Sequence, residues 1–333
     1  VLDRQLGTKW RTRFAEFDDE PTASASIGQV HRAVWSDGRD VAVKVQYPGA
    51  DEALRADLKT LARFAGAFGS MMPGVEVGPI IDEFRERTEE ELDYRIEAEN
   101  QRAFSRAFTG DDRFAIPSVV ASAPKVVVTE WMSATPLAQI VSGGTEEQRN
   151  RCGALLAEFH VASPSQAGLL HCDPHPGNFM LHPDGRLGVI DFGACAPFPG
   201  GLPPILGRML RLAQEKDFDQ LTRLLHDNGF VLPGRTVTDT EIAEYLRPFT
   251  DPIQSDSFHF TRAWMQQAAG VATDLSGSHF RTARALNLPP EYLMIFRVLL
   301  GSVAICAQLD AQAPYMAILT RWLPGFTTPP ESL

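Results

Sequence analysis

Alternation of apolar and polar residues is sharpest at Asp40–Gln46 (DVAVKVQ). Period two there sets Val41, Val43 and Val45 on one face of a strand and Ala42, Lys44 and Gln46 on the other. Val30–Trp35 precedes it across Ser36-Asp37-Gly38, so the two predict a β-hairpin. Ile116–Ala121 and Lys125–Glu130 predict a second hairpin, turning at Ala123-Pro124. Between the hairpins the period lengthens. Leu54, Leu58, Leu61, Phe64 and Phe68 mark a helix over 51–69. Ile81, Phe84, Leu92, Ile96, Ala103 and Phe104 mark a long one from about Pro79 to Phe108, whose many charges form a solvated face. Residues 1–20 read as a short helix or strand entry ending at Asp18-Asp19-Glu20-Pro21.

Further along, Trp131-Met132-Ser133 reads as a hinge and Leu137–Val141 as a short helix. A Gly143-Gly144 break separates it from a helix over Glu146–Val161. A third hairpin pairs Phe179–Leu181 with Leu187–Ile190 across Pro183-Asp184-Gly185. The remainder predicts helices at about 203–214, 217–228, 239–248, 258–272 and 290–310, with a last one before Pro324. Strands and one long helix first, then helices, is an α+β order.

At 333 residues the chain is long enough for two units with cores of their own. A net charge of −11 argues against a nucleic-acid binder, which needs a basic face for phosphates. The four cysteines (Cys152, Cys172, Cys195, Cys306) lack disulfide-framework spacing and fit a reducing cytosol. The N-terminus carries no apolar signal segment and starts with Val, as a fragment or a processed chain does. The run Val298–Ala307, preceded by Arg297, is too short to span a bilayer and reads as a buried helix. These features predict a cytoplasmic protein with no transmembrane segment, leaving peripheral membrane contact open.

The chemistry concentrates in His171–Gly193, HCDPHPGNFMLHPDGRLGVIDFG. Asp173 and Asn178 lie in a Pro/Gly-rich loop, and the third hairpin should bring Asn178 and Asp191 to the same end. Two oxygen ligands side by side suit magnesium, which takes a few protein oxygens and completes its shell from substrate phosphates. A spare aspartate can orient or deprotonate a phosphoryl acceptor. Asp-x-x-x-x-Asn, a strand pair, then Asp-Phe-Gly is the spacing of the protein-kinase catalytic and metal loops. A transition-metal site on His171, Cys172, Asp173, His175 and His182 is the weaker reading, because no second Cys/His pair has zinc spacing.

Lys44 lies on a strand otherwise fit for burial, so it needs a partner, and Val-Ala-Val-Lys matches the phosphate-contacting lysine strand of kinases. A carboxylate of the long helix is placed to meet it. Glu91 shares a face with Arg95, and Glu91 and Asp93 flank the inward Leu92, but periodicity does not choose among them. Upstream, the very small residues of Thr22–Gln29 would let backbone approach a ligand closely, as glycine-rich phosphate loops do.

Ala23-Ser24-Ala25-Ser26-Ile27-Gly28-Gln29-Val30-His31-Arg32-Ala33 resembles the alanine-rich loop of the UbiB/ADCK atypical kinases. So do Val41–Gln46, Glu91-Leu92-Asp93-Tyr94-Arg95-Ile96-Glu97-Ala98, His171–Asn178 and Asp191-Phe192-Gly193. The resemblance implies a two-lobed protein-kinase-like fold: an N-lobe over 1–132 with a small antiparallel sheet and long helices, and a helical C-lobe over 133–333. It implies ATP or ADP with magnesium, a catalytic Asp173, a Lys44–Glu91 pair, and Asn178 and Asp191 as metal ligands. Nucleotide contacts would come from Ala23, Ser24, Ala25, Ser26, Ile27, Gly28, Val30, Ala42, Lys44, Glu130, Trp131 and Met132. Asp93, Glu97, Gln29, His171 and His175 complete the family's motifs. It also implies an atypical kinase or ATPase serving isoprenoid-quinone or lipid metabolism, with lipids, quinone precursors or a quinone-biosynthesis complex as partners. The family's Lys-x-Gly-Gln element is not found in residues 1–20. The Asp173, Asn178, Asp191 set is shared with aminoglycoside and choline kinases, so a small-molecule phosphotransferase is an alternative, and a pseudokinase scaffold is another.

Overall fold

The strand Asp40–Gln46 forms with the predicted bounds, and Val41, Val43 and Val45 are all buried. It lies inside an antiparallel sheet. In chain order the strands are β1 (Phe14–Phe17), β2 (Ala23–Ala25), β3 (Gly28–Trp35), β4 (Asp40–Gln46), β5 (Val119–Ala123) and β6 (Val126–Glu130). They stand in the order β1-β3-β4-β6-β5, with β2 paired to β3. The turn between β3 and β4 takes Gly38 to φ 89°, a left-handed conformation that glycine adopts without the strain a Cβ brings. The computed structural model describes residues 1–69, 92–273 and 278–327. The chain divides into one unit of Val1–Ser105, Ile116–Ser133 and Asp191–Ala194, and a second of Arg106–Ala115, Ala134–Ile190 and Cys195–Leu333. A single division after residue 132 does not anticipate the exchange of 106–115 and 191–194.

In the first unit, one sheet face buries Val41, Val43, Val45, Val126 and Val128 against Trp10 and Phe14. The other face meets helix α2 (Tyr94–Ala107), with Tyr94 and Ala98 against Val127. Helix α1 (Ala50–Gly69) agrees closely with its prediction. The long helix predicted from Pro79 does not run unbroken to Phe108. Leu92 and Asp93 are non-helical, and α2 starts at Tyr94. Residues 79–91, Glu91 among them, lie outside the described residues.

The second unit is built on helix α3 (Glu146–Ala167). A reciprocal Thr145–Gln148 capping box starts it, and Gly168 ends it at φ 70°. It runs six residues beyond the predicted end at Val161, through Pro164. Short strands follow: β7 (Leu169–His171), β8 (Phe179–Leu181), β9 (Leu187–Val189) and β10 (Cys195–Pro197). β8 and β9 form the third predicted hairpin. β10, unpredicted, pairs with β7 and sets Cys195 opposite His171. Helices α4 (Pro204–Glu215), α5 (Phe218–Asp227), α6 (Asp239–Thr250), α7 (Arg262–Thr273), α8 (Ser278–Ala285), α9 (Pro290–Leu309) and α10 (Tyr315–Trp322) complete it. The helix predicted from 258 begins as a strand instead, Phe258–His259, paired with Gln312–Ala313.

α9 is 20 residues long and holds an 18-residue stretch of mean hydropathy 1.8, long and apolar enough to cross a membrane by length and composition. This exceeds the ten-residue run read from sequence. Within its own unit Ile295, Val298, Ser302, Ile305, Cys306, Ala307 and Leu309 are buried, while Leu293 and Leu300 face outward.

One buried polar group in this unit makes stability depend on pH. His160 of α3 is fully buried, with Nδ1 3.0 Å from the Leu156 carbonyl oxygen and 2.8 Å from Ser302 Oγ. Burial, with His171 adding to it, holds its pKa at about 3 rather than 6.5. Between those values the unfolded chain binds a proton that the folded chain refuses. Stability from this site is therefore full above pH 6.5 and is lost as pH falls toward 3. We expect Tm to fall from pH 7 to pH 4, and the fall to be shallower in His160→Asn; equal slopes in the two proteins would refute the assignment.

Candidate active site

Strand β4 must bury its valines, and the pleat then projects Ala42, Lys44 and Gln46 from the opposite face. The register sets Val30, Lys44 and Val127 side by side across three strands. Lys44 Nζ donates to both Glu97 oxygens, at 2.8 and 2.9 Å, and to Asp191 Oδ2 at 3.1 Å. The Tyr94 ring centroid lies 5.1 Å away, a cation–π contact. Burial opposes the charge on Lys44, but Glu97 and then Asp191 outweigh it and raise its pKa above the ordinary lysine value. Asp191 Oδ1 accepts from the Gly193 N–H at 2.9 Å, and the Phe192 carbonyl oxygen accepts from Asn100 of α2 at 3.1 Å. The Phe192 ring lies 5.0 Å from that of Phe104 on the same helix. Helix α2 therefore positions both carboxylates, one directly and one through the Asp-Phe-Gly segment.

Among the described residues the helix carboxylate on Lys44 is Glu97; Glu91, the partner expected from the resemblance, lies outside the described residues. Asp93 Oδ1 accepts from the Arg95 N–H at 3.0 Å and its carboxylate holds the Arg95 side chain, so α2 begins a fresh register at Tyr94. Arg95, assigned from spacing to a face with Glu91, pairs with Asp93. From Tyr94 the buried positions are Tyr94, Glu97, Ala98, Gln101 and Phe104, a helical spacing that puts Glu97 inward. That spacing, read from Asp93 as a start signal, would have found Glu97.

The small-residue segment is not an open loop. Ala23–Ala25 pairs with β3 as Ala23↔Val30, Ser24↔Gln29 and Ala25↔Gly28, leaving Ser26 and Ile27 to turn. A Cβ on Gly28 would stand 2.3 Å from the Val45 carbonyl oxygen and 2.9 Å from the Tyr94 hydroxyl, so glycine permits the close approach of β3 to β4 there. Gln29 bonds His31 at 2.8 Å rather than turning to the Lys44 face. At the expected hinge the Trp131 N–H donates to the Asp40 carbonyl oxygen at 2.9 Å. The Glu130 N–H donates to that of Ser118 at 2.9 Å, and the Glu130 carboxylate accepts from Arg39 at 3.1 Å. Of the three expected hinge contacts, Glu130 and Trp131 thus have their N–H groups engaged.

In the second unit, Asp173 Oδ2 accepts from Asn178 Nδ2 at 2.7 Å. The Asp173 carbonyl oxygen accepts from the His175 N–H at 2.8 Å, and that of His175 accepts from the Asn178 N–H at 3.0 Å. His175 Nδ1 accepts from the Gly177 N–H at 3.1 Å, so the loop is tied internally. His175 is exposed, whereas His171 is buried among Phe159, His160 and Phe179. Cys172 is buried as well and donates to the Leu170 carbonyl oxygen. The hairpin closes where the Ile190 N–H donates to the Asn178 carbonyl oxygen at 3.1 Å, and Asp191 follows in the chain.

Removing one partner of a buried ion pair leaves the other charge without compensation, a cost of about 3–5 kcal/mol. Glu97→Ala should lower stability on the order of 3 kcal/mol in urea unfolding. Asp191→Asn, at a carboxylate six times more exposed than Glu97 (37% against 6%), should cost clearly less. Equal losses would contradict the role of Glu97 as the principal partner.

Residues 1–225 match the ABC1 atypical kinase-like domain. The chain is 29% identical to Protein ACTIVITY OF BC1 COMPLEX KINASE 1, chloroplastic, of Arabidopsis thaliana, an alignment covering 96% of this chain and 46% of that protein. It is 28% identical to the Probable protein kinase UbiB of Azotobacter vinelandii, over 97% of this chain and 61% of that one. It spans about half the length of the curated relatives it matches. Rv3197 of Mycobacterium tuberculosis, solved as a complex with erythromycin, is 53% identical and superposes with a TM-score of 0.91, covering 99% of this chain and 83% of that one. With a domain match across two thirds of its length, and an antiparallel sheet followed by helices, the chain has an α+β kinase-like fold and belongs to the ABC1 atypical kinase-like family, the group of the UbiB and COQ8 kinases.

Proposed function

We propose that the chain binds ATP or ADP with magnesium and transfers the terminal phosphoryl group, as an atypical kinase or ATPase serving isoprenoid-quinone or lipid metabolism. One observation carries the reading: a lysine ammonium on the sheet, held between a buried carboxylate and the aspartate of an Asp-Phe-Gly segment. Kinases need a lysine–glutamate pair and that aspartate in place together for phosphoryl transfer. Two carboxylates to one ammonium also leave the group short of positive charge, which suits it to a divalent cation.

Lys44 would contact phosphate oxygens while Glu97 fixes its direction. Asn178 and Asp191 offer only oxygen donors, as a hard cation requires. Bound magnesium would neutralise charge on the phosphates. Asp173 would orient the hydroxyl or water that receives the phosphoryl group and accept its proton. Its bond to Asn178 holds the carboxylate in one direction before any substrate arrives. The link to quinone or lipid pathways rests on kinship with the UbiB and COQ8 kinases.

A ligand at 100 times its Kd stabilises the folded state by about 2.7 kcal/mol. Saturating ATP or ADP should therefore raise Tm by several degrees with magnesium, little without it, and not at all in Asp191→Asn. Absence of a shift with both nucleotides would refute nucleotide binding. Phosphate release from ATP, followed with and without phenolic quinone precursors and small hydroxylated acceptors, separates hydrolysis from transfer; labelled small-molecule product would favour the aminoglycoside-kinase-like alternative. No phosphate release at saturating nucleotide would favour the scaffold.

A second reading comes from the 53% identity to the erythromycin-bound mycobacterial protein across 99% of this chain. Macrolide binding is expected on that ground. Titration calorimetry with erythromycin should give a saturable isotherm, and heats equal to dilution would exclude it.

A further inference from the structure

Helix α9 carries a glycine at mid-length, Gly301, where alanine would be the better helix former. Its surroundings supply the reason. A Cβ at Gly301 would stand 2.4 Å from Pro174 Cγ and 3.1 Å from Pro174 Cβ. Pro174 follows Asp173 directly. Its ring is fused to the backbone and fixes φ, so it cannot swing aside as a flexible side chain would; displacing Cγ displaces the loop.

The next residue of α9 reaches the same loop from its other end. Ser302 Oγ lies 2.8 Å from His160 Nδ1 and donates to the Val298 carbonyl oxygen at 2.9 Å. The His160 ring meets the His171 ring edge-on at 6.0 Å, and His171 is the last residue of β7, two before Asp173. Ser302, His160 and His171 are all buried. Asp173 is thus bracketed by two rigid contacts from one turn of one helix: Gly301 on Pro174, and Ser302 through His160 and His171.

We infer that Gly301 and Ser302 are positioning residues for the Asp173 loop: α9 sets the direction of the Asp173 carboxylate without touching a substrate. This rests on the phosphoryl-transfer reading above, but it makes a separate structural statement about the loop. Misplacement of a catalytic group by about 1 Å can cost on the order of 100-fold in rate. The three atoms nearest a Cβ at Gly301 all belong to Pro174, which is not one of the nucleotide-contacting residues proposed above. Turnover should therefore suffer and nucleotide affinity should not.

The test uses the full chain and four variants: Gly301→Ala, Pro174→Ala, the two combined, and Ser302→Ala. Gly301→Ala should lower kcat for phosphate release by roughly 10- to 100-fold and leave KM for ATP within about threefold. The combined variant removes Cγ and leaves only the 3.1 Å Cβ contact, so it should regain at least half of that loss on a logarithmic scale. Ser302→Ala should lower kcat less, again at unchanged KM. Amide exchange supplies a readout independent of chemistry. The N–H groups of His175, Gly177 and Asn178, which tie the loop, should exchange faster in Gly301→Ala and recover in the combined variant. Wild-type kcat and exchange in Gly301→Ala would overturn the inference, as would a loss that Pro174→Ala does not relieve. Should Gly301→Ala not fold, Ser302→Ala decides: unchanged exchange at His175 and Asn178 refutes the bracket. If wild-type protein releases no phosphate, the phosphoryl-transfer reading fails while the exchange measurements still decide this one.

Discussion

A largely enclosed ammonium constrains the first unit. Lys44 projects from a sheet whose opposite face is committed to valine packing, so it cannot turn toward water without breaking the strand. An unpaired charge there would be too costly to keep, and the fold must deliver carboxylates to it. It delivers two, from segments far apart in sequence, Glu97 and Asp191. Once they arrive, the start of α2 and the Asp-Phe-Gly segment are both fixed against β4.

The surrounding packing follows from that requirement. Tyr94 occupies the turn of α2 that must approach β4, and its ring lies against the Lys44 ammonium while its hydroxyl abuts Gly28. A side chain at Gly28 would collide with the Val45 carbonyl oxygen, so the small-residue hairpin closes on the sheet only as glycine there. The run of alanines and serines ahead of it is then paired backbone, with a two-residue turn as the part free to meet a ligand.

Much of this was legible in the sequence because two-residue alternation and turn chemistry are local signals. β4 and the Phe179–Val189 hairpin appear where the alternation and the Pro-Asp-Gly turn put them. The identity of the lysine's partner was not legible. Counting helical turns through Leu92 and Asp93 assumes a continuous helix, and the Asp93–Arg95 interaction interrupts it. Glu91 and Glu97 stand six positions apart, about 600° of helical rotation or about 240° past a full turn, so a single continuous helix would not turn both to one face. Spacing leaves the choice open, and the family resemblance points to Glu91 while carrying Glu97 as a motif residue. Strand pairs of two or three residues, such as Cys195–Pro197 with Leu169–His171, also escaped, because their partners lie far away in sequence and the runs are too short to show a period. His171, carried as a motif residue, proves to be a core side chain that acts on its neighbours by packing.

Composition misleads most at α9. A 20-residue helix with an 18-residue stretch of mean hydropathy 1.8 satisfies the criterion for crossing a bilayer, and nothing in its amino-acid content separates that role from burial. What separates them is the pattern of small and polar residues within it. Gly301 and Ser302 sit where a second element must come close, and a hydroxyl facing hydrocarbon would have to be satisfied within the helix alone. Here Ser302 meets His160 of α3 as well, and Gly301 meets a proline ring. These two residues are wasted on a lipid-facing surface and necessary where the helix packs closely on another segment, which ties the most apolar helix of the described chain to the loop that holds Asp173 and Asn178.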